Sequence, residues 1–165
     1  MLFRSILKLA LSITDIASAF RSAGQLVDAA KAEAEEISEA RDEEELKALK
    51  EAWGQTGSRL AQGGSKAVKE LEKEQKSRAT RMVRDYLDQA LLDIVTLYRD
   101  VLLIQSGKTG DSVNLDLTKE LEKVAASTNS EETLKKIEAI MKARVNLVHN
   151  AAPLLTVEAM MVQLK

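Results

Sequence analysis

The chain has 165 residues, 45% of them hydrophobic and 30% charged, with one Pro and no Cys, enough for one folded domain with a real core. The missing cysteines exclude a disulfide scaffold, a thiolate zinc site, an iron–sulfur cluster and cysteine nucleophile chemistry; one histidine, His149, excludes a His-rich metal site. The formal charge of −2 is no polyanion-binding signal. With 3% aromatic residues and 7 Gly, the composition predicts an all-α fold.

The first twenty residues resemble a secretory leader, with Arg4, Lys8 and the small triplet Ala17-Ser18-Ala19. Lys8 and Asp15 interrupt the apolar stretch, so it reads as an amphipathic segment. No run reaches the ~20 apolar residues of a membrane span, and a cytoplasmic protein without membrane partners is expected.

Thr14-Asp15 supplies a helix N-cap, and Ile16, Ala19, Phe20, Ala23, Leu26, Val27 and Ala30 repeat at threes and fours, predicting a helix to about residue 38. A short helix through Leu46, Leu49 and Trp53 should follow, closed by Gly54. The stretch 55–65, with Gly57, Gly63 and Gly64, is expected as a mobile loop. No Gly or Pro then interrupts 66–106, which predicts one very long helix of roughly 60 Å. Large apolar residues crowd its second half, from Met82 to Ile104, so that half is expected at the centre of a bundle of about five to six helices.

Residues 107–114 read as a loop and 117–126 as a short helix, after which Asn129 and Glu132 form a capping-box pattern. The helix they open is expected to bury Leu134, Ile137, Ile140, Met141, Val145 and Val148. Pro153 opens a last helix over 154–164, with Leu155, Ala159 and Val162 inward.

Charge is segregated. Residues 31–51 hold nine acidic and four basic side chains, a local net of −5; residues 66–84 hold seven basic and three acidic, a local net of +4. Lys69, Lys73, Lys76, Arg78, Arg81 and Arg84 make the second stretch a candidate basic surface. An antiparallel hairpin would set it against the acidic stretch and pair it internally.

Catalytic and cofactor motifs fail on spacing. Gly107-Lys108-Thr109 lacks the glycine five residues earlier that a phosphate loop needs, because Leu102 stands there, and it follows a helix whose C-terminal dipole repels phosphate. The residue three before His149 is Asn146, so the Glu-x-x-His motif of di-iron bundles is absent. His149 reads as a capping or surface residue. The expectation is a non-enzymatic interaction domain with no cofactor or metal, the alternative being a helical nucleic-acid module using 66–84.

The run Lys69-Glu70-Leu71-Glu72-Lys73-Glu74-Gln75-Lys76-Ser77-Arg78-Ala79-Thr80-Arg81, followed by Arg84-Asp85-Tyr86-Leu87 and by Leu97-Tyr98-Arg99-Asp100-Val101-Leu102, resembles the C-terminal region of the delta-prime subunit of bacterial DNA polymerase III in its actinobacterial form. Val113-Asn114-Leu115-Asp116-Leu117 and an ending through Asn150, Pro153 and Glu158-Ala159-Met160-Met161 resemble the same family. The resemblance implies that 1–165 is a single helical collar domain without the AAA+ module. It implies assembly of the pentameric ring that loads the sliding clamp during DNA replication, with the gamma/tau and delta subunits as partners through their collars. Direct DNA contact is not expected of such a domain. Surplus apolar residues on the last helix make Leu154, Val157, Met161 and Leu164 the expected subunit interface.

Overall fold

A computed structural model describes residues 2–54 and 63–165. Among them are six α-helices and no strand: α1 (Leu2–Leu11), α2 (Ile16–Ala52), α3 (Gly64–Gln105), α4 (Thr118–Ser127), α5 (Ser130–Val148) and α6 (Pro153–Gln163). The all-α expectation holds, with one change in plan. The expected break near residue 38 does not occur, and α2 runs unbroken for 37 residues, nearly matching the 42 of α3. Residues 38–46 contain neither Gly nor Pro, so nothing stops the helix. Most of the expected glycine loop, 55–62, lies outside the described residues; Gly64 already belongs to α3.

The helix ends follow local chemistry. Asp15 caps α2, its Oδ1 accepting the Ser18 N–H at 2.7 Å. Asn129 and Glu132 close the expected capping box at the start of α5. Gly107, at φ 72°, ends α3: its N–H reaches the Ile104 carbonyl, and the Lys108 N–H reaches that of Leu103 at 2.8 Å. This is the Schellman pattern, so Gly107-Lys108-Thr109 opens in a helix stop as the spacing argument requires. Asn150, at φ 62°, repeats it after α5, with His149 exposed at the C-cap.

The chain forms two compact units. Unit 1 comprises Met1–Ala29 and Leu87–Lys165. Its centre is the second half of α3, where Leu87, Ala90, Leu91, Ile94, Leu97, Tyr98 and Val101 are buried. They fall within an arc of about 120° at ~100° per residue, a third of the helix circumference and one continuous buried face. Ala19, Ala23, Leu26 and Val27 of α2, Leu121 of α4, Ile140 and Leu147 of α5, and Val157, Met160 and Met161 of α6 are among the residues that pack into this core.

Unit 2, Ala30–Tyr86, is a helical hairpin built from the second part of α2 and the first part of α3. Its contacts run in opposite chain directions, Trp53 meeting Gly63 while Asp42 and Glu45 meet Gln75 and Arg78, so the two helices are antiparallel. Ala30, Ala34 and Ser38 are its buried α2 residues, one stripe at i, i+4 and i+8 whose small side chains suit close helix packing. Gly63 has φ 95°, and a Cβ there would stand 3.2 Å from the Trp53 ring.

Candidate functional site

Three polar links orient the elements of unit 1. Asp100 is fully buried on α3. Its Oδ2 accepts the backbone N–H groups of Val113 and Asn114 at 3.0 and 2.8 Å and the Asn114 side-chain amide at 2.8 Å, while Oδ1 lies 3.9 Å from the Arg99 guanidinium. Gln105, at the end of α3, donates to the Thr128 carbonyl at 3.1 Å and accepts from the Thr133 hydroxyl at 3.2 Å, fixing the α4–α5 junction. Arg144 of α5 grips Asp88 of α3 with two bonds, Nε to Oδ1 at 2.7 Å and Nη2 to Oδ2 at 3.0 Å. That hydrogen-bonded carboxylate raises the Arg144 pKa.

The second and third links set the rotation of α5, and the result departs from the sequence expectation. Its buried residues are Thr133, Ala139, Ile140, Ala143 and Leu147. Of the six expected inside, Ile140 is buried and Ile137 half-buried, whereas Leu134, Met141, Val145 and Val148 are exposed by 50%, 41%, 53% and 74%. The physical reason is competition between two apolar faces on one helix: Thr133 bonded to Gln105 and Arg144 bonded to Asp88 bring the smaller face inward. The four outward residues sit at spacings of seven, four and three, the seam pattern of a helix that packs against another helix.

The rotation of α6 is corrected too. Leu155 and Ala159 are exposed and Val162 is half-buried, while Thr156, Val157, Met160 and Met161 face inward against α5. The Lys136 ammonium of α5 donates to the Leu164 carbonyl at 2.8 Å, which holds the end of α6 in this orientation. The expected interface on α6 therefore changes. Val157, Met161 and Leu164 are core residues of unit 1, unavailable to a partner, and only Leu154 remains exposed. Leu154 and Leu155, in the first turn of α6, follow Val148 by six and seven residues and add two exposed apolar side chains to the outward set. The periodicity of α5 contained this surface as an excess of apolar positions over one face.

The loop closed by Asp100 adds to the outward apolar side chains of unit 1, with Val113 and Leu115 both well exposed beside the buried Asn114. Unit 1 also holds a cleft of about 580 Å³, lined in part by Tyr98, Thr128, Glu132 and Lys136. Three of its polar groups serve the fold: Lys136 holds Leu164, Thr128 bonds Val124 and Gln105, and Glu132 completes the capping box. Burial pushes the Tyr98 phenol up to about 12 and lowers the Lys136 ammonium.

The candidate basic surface lies in unit 2, and the structure divides it. Arg78 turns toward α2, where Nη2 bonds Glu45 Oε2 at 2.6 Å and also reaches Asp42. This pairing, aided by Arg41, holds the Glu45 carboxyl down at about 2. Arg84 is half-buried, whereas Lys69, Lys73, Lys76 and Arg81 are exposed.

Among the described residues, no group of three or more His, Asp or Glu side chains is arranged to hold a metal ion, and no helix is long and apolar enough to cross a membrane. The fold is that of an all-helical domain that carries an outward apolar seam on α5. Residues 68–164, more than half of the chain, match the family model of the DNA polymerase III delta subunit, C-terminal domain, and the chain belongs to this family. Searches of the curated proteins and of the solved structures find no match.

Proposed function

We propose that this chain is a non-catalytic assembly domain of a replicative clamp loader, of the delta-prime type, acting in the cytoplasm. In this reading it is a collar that joins the gamma/tau and delta collars in the ring that loads the sliding clamp. The observation that carries it is the outward seam Leu134, Met141, Val145 and Val148, which lies within the family-matched residues. A surface of this kind covered by water loses the stabilisation that burial against a neighbouring helix supplies, roughly 25 cal/mol per Å². The interface is thus assigned to α5 and the start of α6 rather than to the inward residues of α6.

The test is co-purification of the 165-residue chain with the cognate gamma/tau collar. Val145→Glu together with Val148→Glu should abolish association while leaving helicity and melting unchanged, since both side chains are exposed. Undiminished association of this folded variant would remove α5 as the contact. Failure of the unaltered chain to associate with either the gamma/tau or the delta collar would remove the assembly reading.

A further inference from the structure

We propose that the outward face of the first part of α3 is a docking strip for the phosphate backbone of double-stranded DNA. The acidic stretch of α2 was expected to occupy the basic side chains of α3, yet among the described residues it takes only Arg78. Lys66, Lys69, Lys73 and Lys76 are all exposed, and none of them makes an ion pair within the described structure. At about 100° per residue these four lysines fall within an arc of about 80°, on the side of α3 away from Gln75 and Arg78. Glu70 and Glu74 flank the arc on one side and Glu72 on the other. The strip runs about 15 Å from Lys66 to Lys76, the rise of roughly four base-pair steps.

Its chemistry selects the occupant. Thr80 lies along the same arc and Ser77 just beside it, and no large apolar or aromatic residue lies on it between 66 and 80. A protein partner calls for an apolar or aromatic centre, and lysine is depleted in such interfaces. An anionic membrane calls for an apolar face beside the cations. Single strands call for aromatic platforms on which bases stack. Lysines alone give point-charge contacts to phosphates, with no sequence readout. The proposal stands apart from the assembly reading, because it uses unit 2 and the seam lies in unit 1.

The experiment measures fluorescence anisotropy of a labelled duplex of about 20 bp with the 165-residue chain, between about 50 and 200 mM salt. Three to four phosphate contacts predict a log–log salt slope of about −3. Lys69→Glu/Lys73→Glu/Lys76→Glu should weaken binding by about tenfold or more at the low-salt end and flatten the slope. Lys69→Gln/Lys73→Gln/Lys76→Gln preserves helix propensity and should give the same direction of change even where the charge reversal disturbs the hairpin. Lys119→Glu, an exposed position in unit 1, should leave binding unchanged. No duplex binding at low salt, equal binding by the glutamine variant, an equal loss with Lys119→Glu, or tighter binding of the matching single strand would each overturn the proposal.

Discussion

The buried carboxylate of Asp100 binds both the backbone and the side chain of Asn114, fourteen residues further along, across the turn that ends α3. Two short motifs, Tyr-Arg-Asp and Val-Asn-Leu-Asp-Leu, are thereby joined in one hydrogen-bonded unit that holds Val113 and Leu115 outward. Asp100→Ala would strand two backbone N–H groups and one amide, so a loss of about 3 kcal/mol in denaturant unfolding is expected. Asn114→Ala keeps the backbone bonds and should cost about 1 kcal/mol. The double variant should lose less than the sum, because both changes remove one shared bond. Additive losses would show that the two residues do not act together.

Paired alanine substitutions test the rotation of α5. Ile140→Ala should destabilise by about 2–4 kcal/mol, since that side chain is fully buried. Val145→Ala, on the outward seam, should change stability by no more than about 0.5 kcal/mol. Thermal unfolding of the two variants decides it, and a reversed order would turn the helix back to its expected face.

The Arg144–Asp88 fork predicts that lysine is a poor replacement. Arg144→Lys keeps the charge and loses the two-pronged geometry, so about 1 kcal/mol of stability should disappear. Both side chains retain some solvent exposure, which keeps the effect small. Equal stability of the lysine variant in urea unfolding would show that charge alone matters there.

The hairpin carries a pH dependence of defined sign. Glu45 titrates at about 2 in the folded chain against an ordinary 4.5, chiefly because Arg78 bonds its ionised form. Its contribution is therefore complete above about pH 4.5 and lost as pH falls toward 2. Carboxyl carbon NMR should place the Glu45 midpoint near 2, and Arg78→Gln should move it most of the way back to the ordinary range. An unmoved midpoint would remove Arg78 as the cause.

Gly63 is expected to resist substitution. Alanine there meets two penalties, a left-handed backbone and a Cβ 3.2 Å from the Trp53 ring, together costing about 1–2 kcal/mol. Trp53 is the sole tryptophan. Its emission should shift red in Gly63→Ala as the ring is displaced into water, and an unchanged spectrum would count against the contact.

Wherever a signal is local to the chain, the sequence carried it. Composition specified an all-helical fold, the uninterrupted run from 66 specified α3, and the Asn129–Glu132 spacing and Gly107 specified how helices start and stop, because capping and backbone conformation depend on neighbours a few residues away. The absence of a glycine at position 102 was enough to read Gly107-Lys108-Thr109 as a helix end. Long-range choices needed the tertiary structure. Apolar residues cover more than one face of α5 and α6, and periodicity alone does not rank two faces of similar width. That ranking came from Arg144 meeting Asp88 and Thr133 meeting Gln105, partners separated by 56 and 28 residues. The same holds for charge: the sequence set an acidic stretch against a basic one, but only the hairpin register decided that Arg78 turns inward while Lys69, Lys73 and Lys76 remain in water.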